Sequence, residues 1–292
     1  MRVTDGMRYA EVQRSLSGLQ SRHADATQRA LTGRAVSAPS DDPIAAAELA
    51  RNRIAKAGGD AAKEAASRAR GDLELAEGML AAAGVLFHVA HELAMQGANG
   101  SYGAAERAAL AQQVRQLKDQ LVAIGNTQGA DGYLFAGSRT NAAPFSAAGA
   151  FSGDAVSKVV DLGDGAPTAV SPSGARAFTA AGGRNVFADL DALELALGAN
   201  DPAAVSATLG GLEAARRQIV VAQSDAGLRL GRLETTEAVL ERTSLALAER
   251  DETVAGADPY RAYSDLASLS GALERAVGVA RKVLDLGSIF RF

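Results

Sequence analysis

The sequence predicts a mainly α fold, a long coiled-coil-like helical bundle built from both chain ends, with a small β-rich insert domain. Three observations favour it. Apolar residues recur at heptad spacing near both termini. Of the 292 residues 47% are apolar but only 4% are aromatic, which suits closely packed helices better than a bulky core. Between residues 139 and 185, glycine, serine and proline interrupt short runs such as "VSKVVDL" and "APTAV", which indicates hairpins.

The first predicted helix carries a heptad seam that ends at a turn. The seam positions are Tyr9, Val12, Leu16, Leu19, His23, Ala26 and Ala30. Gly33 follows them, where a left-handed C-cap is expected.

The stretch "SAPSDDPIAAA", residues 37–47, is predicted to be a joint between two helices. Pro39 pushes Ala38 out of the α region, so the helix cannot run through. Asp42 can cap the next helix, with Pro43 in its first turn, and Asp41 adds negative charge near the positive end of the helix dipole. The alternative interpretation, a carboxylate pair for metal binding or acid–base chemistry, lacks partner ligands. The predicted joint residues are Gly33, Pro39, Ser40, Asp41, Asp42 and Pro43.

Further helices are expected from about 43 to 97, with a possible kink at Gly58-Gly59, and then from about 103, 186 and 202. The last helix repeats the heptad spacing at Leu266, Leu269, Leu273, Ala276, Ala280, Val283, Gly287 and Phe290, and Val277 and Leu284 widen the stripe. The layout is therefore nearly symmetric. We expect three parts: 1–40 plus 256–292 as terminal helices, 41–138 plus 186–255 as a helical rod, and 139–185 as the insert.

Catalytic and metal motifs are weak in this sequence. The absence of cysteine excludes disulfides and thiolate metal sites, and the net charge of −4 gives no reason to expect nucleic acid or an anionic membrane as partner. His88 and His91 could chelate a metal, but Met95 stands where the zincin pattern needs a second histidine. We predict no enzyme activity and no cofactor.

"GLRLG", residues 227–231, has the G-x-x-x-G spacing. In a charged helix it indicates a close helix contact and not a membrane dimer. We expect no membrane span, because the most apolar run carries two histidines and a glutamate. The N-terminus has no apolar segment or cleavage site of the secretory type, so we expect any export to proceed without a cleavable signal peptide.

The terminal seams favour self-association. A lone helix of about thirty residues is marginal in water, because helical stability comes mostly from packing the apolar face. The two terminal helices can pair, but their outer faces stay bare. We therefore predict a polymer whose subunits order their ends on joining. The predicted assembly seam comprises Val12, Leu16, Leu19, Leu266, Leu269, Leu273, Val283, Leu284 and Phe290.

Five stretches resemble the flagellin superfamily, and most closely its hook-associated protein 3 family at the hook–filament junction. They are "MRVTDGMRY", "LTGRAVSAPSDDPIAAA", "GADGYLFAGSRTNAAPF", "AGLRLGRLE" and "DPYRAYSDLASLSGALERAVGVARKVLDLGSIF". The insert matches only loosely. The first joint reads "GRAVSAPS", where the family pattern has an asparagine–arginine pair before the proline.

The resemblance implies a structural protein of the bacterial flagellum that is extracellular and forms a ring of copies. It implies terminal helices paired in an inner tube, long helices in the next shell and an insert that faces outward. The partners implied are the adjacent hook-associated protein, flagellin and an export chaperone on the C-terminal region. Type III export is also implied. The joint would then redirect the chain from the inner tube to the outer shell.

Three alternatives remain at this point. A short flagellin is the nearest, although the proline of "DDP" and the start "MRVT" argue against it. A metal-dependent enzyme built around His88 and His91 is the second. A cytosolic coiled-coil scaffold is the third.

Overall fold

The computed structural model of the chain describes residues 2–163 and 167–289, with the backbone alone for 2–6, 8, 9 and 283–289. Its helices are α1 (Arg2–Thr32), α2 (Pro43–Ala98), α3 (Ala104–Gly125), α4 (Gly174–Phe178), α5 (Val186–Gly198), α6 (Pro202–Ala255) and α7 (Pro259–Ile289), with a 3-10 turn at Ala180–Gly182. Its strands are β1 (Gln128–Gly129), β2 (Gly132–Tyr133), β3 (Val159–Asp161) and β4 (Pro167–Ala169). The predicted mainly α class with small β elements is confirmed.

Three long helices, α2, α6 and α7, begin at an Asp-Pro pair. The Oδ1 atoms of Asp42, Asp201 and Asp258 each accept hydrogen bonds from the backbone amides two and three residues later, at 2.9–3.3 Å. These amides have no partner inside the helix, so the carboxylate supplies one. The proline that follows sits at the first helical position, where its missing N–H costs nothing. The predicted cap of α2 by Asp42 is therefore observed.

The chain divides into two compact units: unit 1, residues 1–57 with 244–292, and unit 2, residues 58–243. Helices α2 and α6 each contribute residues to both. The three-part division expected from the sequence stays a prediction.

Unit 2 holds the main hydrophobic core. Its fully buried side chains include Phe87 of α2, Leu121 of α3, Leu193 of α5 and Leu212 of α6. The region of the predicted insert adds aromatic rings to the same core: the ring centroids of Phe145 and Phe178 are 5.5 Å apart, edge to face. The described residues of the insert are therefore anchored in the helical core.

The strands form two short hairpins. Strands β1 and β2 pair antiparallel through Gln128 and Tyr133, and β3 pairs with β4, with Val160 opposite Thr168. The second hairpin is the one predicted from "VSKVVDL" and "APTAV". Its strands are only three residues long, so irregular backbone makes up more of the described insert than strand does.

Helix α2 is long and apolar enough, by length and composition alone, to cross a membrane. Its apolar residues Leu80, Ala83 and Phe87 are nevertheless fully buried in unit 2. The apolar character of α2 therefore has an explanation in the packing of the core. The helix continues through Gly58 and Gly59.

Candidate assembly interface at the terminal helices

Within unit 1, helices α1 and α7 pack against each other along their lengths. His23 Nε2 of α1 lies 3.1 Å from Ser270 Oγ of α7, and the backbone N–H of Ala257 donates to the carbonyl of Gly33 at 2.8 Å. Because residue 23 is level with 270 and residue 33 with 257, the two helices are antiparallel. The chain ends thus form a helical hairpin.

The predicted seam residues line this hairpin but are incompletely covered. Ala26 is buried, whereas the larger side chains of the seam are only half-buried. The half-buried members are Val12, Leu16, Leu19, Leu266, Leu269 and Leu273. Two helices can cover only one side of an apolar stripe wider than a two-stranded seam. The hairpin therefore keeps accessible apolar surface along its length.

The side chains of three predicted seam residues lie outside the described part of the structure. Val283 and Leu284 belong to α7 by their backbone, but their side chains lie outside the described part of the structure. Phe290 lies outside the described residues altogether.

One side of the hairpin forms an open groove. It is lined by the apolar Ala26 and Leu269 and by the charged Arg22, Asp25, Arg29 and Asp265. Both signs of charge line the groove, so it is suited to another helix with mixed charges more than to a simple anion or cation.

The two joints of the chain clasp each other at the end of this hairpin. The N–H of Ala35 donates to the carbonyl of Ala255 at 2.6 Å, and Arg34 and Gly256 form an antiparallel bridge. Val36, Leu49 and Ala255 are buried beneath this bridge. Gly33 has a φ of +66°, so the predicted left-handed C-cap of α1 is observed.

Asp41 folds back onto the joint. Its Oδ2 accepts hydrogen bonds from the N–H groups of Ser37 and Ala38, both at 2.9 Å. These two bonds, and secondarily the positive charge of Arg29, lower the pKa of the Asp41 carboxyl below its ordinary value. The sequence-based expectation placed this charge at the helix dipole; the direct partners are instead the amides of the joint.

Pro39 and Ser40 occupy the middle of a tight turn. The N–H of Asp41 donates to the carbonyl of Ala38 at 3.0 Å. Proline at the second position of such a turn is favoured, because its fixed φ matches the turn. Joint residues 38–43 thus form a turn followed directly by a capped helix.

The histidine pair considered as a metal site, His88 and His91, lies on α2, where His88 has an exposed glutamate nearby. His88 Nε2 lies 3.3 Å from Glu92 Oε1 one turn along α2, and both side chains are exposed. Among the described residues, no three His, Asp or Glu side chains are grouped so that they could hold a metal ion. The metal-enzyme alternative therefore gains no ligand set from the described part of the chain.

Comparison with known proteins shows which families and solved structures this chain is similar to. The family model of the bacterial flagellin N-terminal helical region matches residues 3–140. Over this segment the chain is similar to the flagellin N-terminal helical region. It contains α1, the first joint, α2 and α3 in order, together with the first hairpin.

Two relatives extend the similarity beyond this flagellin region. The chain is 26% identical over 263 residues to flagellar hook-associated protein 3 of Salmonella typhimurium, covering 82% of this chain and 83% of that protein. It is 25% identical over 311 aligned positions to flagellar hook-associated protein 3 of Escherichia coli, covering 92% of this chain and 98% of that protein. The resemblance inferred from the sequence is confirmed.

A solved structure shares the fold. The flagellar junction protein FlgL from Legionella pneumophila superposes with a TM-score of 0.57 at 18% identity, over 71% of this chain and 99% of that one. The two relatives described above carry the name hook-associated protein 3 and not flagellin, so the short-flagellin alternative is not the better supported one.

Sequence reasoning missed several residues of this interface. The contact of His23 with Ser270 and the clasp between the joints involve residues more than two hundred positions apart, which no local pattern reveals. Asp258, in contrast, could have been found, because "DP" recurs at three helix starts.

Proposed function

We propose that this protein is a structural subunit of the bacterial flagellum that forms the junction between hook and filament and polymerises through its terminal helices. The observation that carries the proposal is the half-buried seam of the α1–α7 hairpin, in a chain similar over most of its length to hook-associated protein 3. A seam completed by neighbouring copies would bury the exposed part of Leu16, Leu269 and Leu273. Each fully buried leucine is worth about 1.5–3 kcal/mol relative to an exposed one, so many half-buried ones favour assembly.

In this account the terminal helices form an inner tube of the assembled ring, the helical rod forms the next shell, and the insert faces outward. The clasp of Gly33, Ala35 and Ala255 holds the two ends of the chain together where the hairpin begins. The caps at Asp42 and Asp258 fix where the long helix and the last helix begin. The joint is thereby a connector that sets direction, and its own contribution to the stability of unit 2 is small.

The proposed partners follow from this position. They are further copies of the chain, an adjacent hook-associated protein on one side, flagellin on the other, and an export chaperone that holds the C-terminal region before assembly. We propose that the protein is exported through the flagellar type III apparatus and acts outside the cell. Its role is structural and requires no catalysis, cofactor or metal.

Deletion of the gene tests the function directly. Cells should retain hooks, lack filaments and release unpolymerised flagellin into the medium; normal filaments on such cells would refute the proposal. Quantifying the protein in purified flagella separates the alternatives, since a junction protein is a trace component and a flagellin is the bulk one. A cytosolic scaffold would be absent from the medium of a filament-less strain.

The joint has its own test. Replacing Pro39 and Pro43 together by alanine should let helical structure extend into the turn, because the backbone restriction on residues 38 and 42 is removed. Export and the thermal stability of unit 2 should be close to the parent chain, while junction formation fails. Normal motility of the double variant would show that this break is not needed.

A further inference from the structure

The long helices of unit 2 each carry an exposed stripe of small and apolar residues on the side away from the core. On α2 the stripe residues are Gly71, Leu75, Gly78, Ala82 and Val85. On α6 they are Val221, Ser224, Leu228, Gly231 and Thr235. Both stripes repeat every three or four residues, which is the spacing of a coiled-coil seam. All ten residues are exposed.

The G-x-x-x-G spacing at residues 227–231 predicted a close contact with another helix. Within the chain that prediction is wrong: a Cβ added at Gly227 or Gly231 would meet no atom of the described residues within 4 Å. The same holds for Gly71 and Gly78 on α2. Glycine inside a helix costs about 1 kcal/mol relative to alanine, and no contact among the described residues offsets that cost at these positions.

The two stripes lie at the same height in unit 2. Gln223 of α6 donates to Glu77 of α2 at 2.6 Å, and Arg70 of α2 lies 3.6 Å from Glu237 of α6. These contacts show that α2 and α6 are antiparallel and that residues 71–85 are level with the stripe of α6. Each stripe spans fourteen residue steps, about 21 Å at the rise of an α-helix. In two copies that stand side by side at the same height, the α2 stripe of one is therefore level with the α6 stripe of the other along its length.

The charges that flank the stripes are complementary in this arrangement. Glu74 flanks the stripe of α2 and Arg232 that of α6, while Glu92 and Arg217 lie just beyond one end of each stripe. Three of them also lie near a side chain one turn away on their own helix, with Glu74 near Arg70, Glu92 near His88 and Arg217 near Glu213. With the antiparallel register given above, Glu74 lies near the level of Arg232, and Glu92 near that of Arg217. All four are exposed. An apolar strip with a rim of opposite charges is the general anatomy of a specific protein–protein interface.

We propose that the α2 stripe of one copy packs against the α6 stripe of the next copy around the ring. The contact is heterologous, since two different surfaces of the same chain meet, and such contacts close into rings when the rotation between copies allows it. Small residues on α2 receive the larger Val221 and Leu228 of α6. The proposal rests on the proposed function, because it names the side-by-side contact of the same ring, in a part of the chain separate from the terminal seam.

Cysteine cross-linking tests the contact, because the chain has no cysteine of its own. Ala82→Cys and Ser224→Cys are at nearly the same height on the two stripes. The two single-cysteine chains, and a third chain that carries both substitutions, are expressed full-length in cells lacking the native protein, and flagella are isolated and oxidised. Co-expression of the two single-cysteine chains should give a disulfide-linked dimer, and the chain with both cysteines should give a ladder of multimers. Either single-cysteine chain expressed alone should stay monomeric.

A charge substitution with a matched control tests the energetics. Leu228 is 76% exposed and Leu195, on α5 and off both stripes, is 75% exposed. Leu228→Glu should abolish filament growth, whereas Leu195→Glu should not. Both variants should have the melting temperature of the parent chain, because neither side chain is in the core. Arg232→Glu should reduce the number of filaments, and adding Glu74→Arg should restore it.

The outcomes separate the two proposals. Protein present in isolated flagella at its normal level, with no mixed dimer and normal filaments for Leu228→Glu, overturns the stripe contact and leaves the junction function standing. A dimer formed equally by Ala82→Cys alone would overturn the heterologous geometry. Absence of the parent protein from isolated flagella would overturn both.

Discussion

Helix α3 in unit 2 and the terminal helices in unit 1 carry the same apolar spacing but reach different degrees of burial. On α3, Leu110, Val114 and Leu121 are buried within unit 2. On α1, Val12, Leu16 and Leu19 follow the same spacing and remain half-buried beside α7. Heptad spacing thus identifies the face that will be covered, but the number of partners that cover it depends on what surrounds the helix. In unit 1 the described residues cover the α1 seam mainly with the single helix α7.

The largest expected effect lies in the core of unit 2. Leu80 is fully buried on α2, so Leu80→Ala should lower the free energy of unfolding by about 2–5 kcal/mol, through lost burial and the cavity left behind. Leu269→Ala in the half-buried seam should cost less, about 1–2 kcal/mol, because part of this side chain is already in contact with water and that part loses no burial. Denaturant unfolding of both variants measures the difference. Equal losses would contradict the contrast between the units.

The helix caps should give an intermediate effect. Asp42→Ala and Asp258→Ala each remove a side chain that accepts two amide hydrogen bonds at a helix start. Each should lower stability by about 0.5–2 kcal/mol. Asp60→Ala, an exposed aspartate inside α2, serves as the matched control and should stay within about 0.5 kcal/mol of the parent chain. Caps that behave like the control would mean that the joints are not ordered in the free protein.

Asp41 should give the smallest effect, visible as a pH dependence. Its folded-state pKa is lowered by the amides of Ser37 and Ala38. The carboxylate is therefore kept through the ordinary pH range in which an aspartate protonates, and its contribution to the joint is lost only as pH falls through the lowered pKa. NMR titration of the Ser37 and Ala38 amides should show this late transition, and Asp41→Asn should remove it. A transition at the pH of an unperturbed aspartate would count against the observed hydrogen bonds.

Much of the architecture was accessible from the sequence, since heptad spacing, Asp-Pro pairs and the glycine-rich stretch each act locally. Side-chain partners across the fold were less accessible. Arg107 is the clearest case: an arginine on a predicted helix is expected in water, yet it is buried and donates to the carbonyls of Gly97 and Asn99 and to the side chain of Asn200. Its burial depends on where three chain segments meet, and no periodicity encodes that.

Some features of the candidate interface could likewise be predicted from the sequence, and others could not. The seam positions on α1 and α7 could be chosen from spacing alone, and the cap by Asp42 from its residue type. The return of Asp41 onto Ser37 and Ala38, the clasp between the joints and the exposed stripes on α2 and α6 depend on the three-dimensional fold and have no local signal. An exposed apolar stripe has no local signature that distinguishes it from a buried one, because both follow the same helical period.

A paired substitution on α7 tests most directly whether the terminal seam is completed by other copies. Leu273 lies half-buried on the seam, and Val279 is 58% exposed on the same helix. Leu273→Lys should leave the melting of unit 2 unchanged and allow export, yet prevent filament growth, because in the ring its charge would be buried without a partner. Val279→Lys should leave melting, export and filaments normal. If Leu273→Lys lowers the free energy of unfolding by several kcal/mol, the seam is already a closed core in the single chain. If its filaments are normal, the seam is not the surface through which copies join.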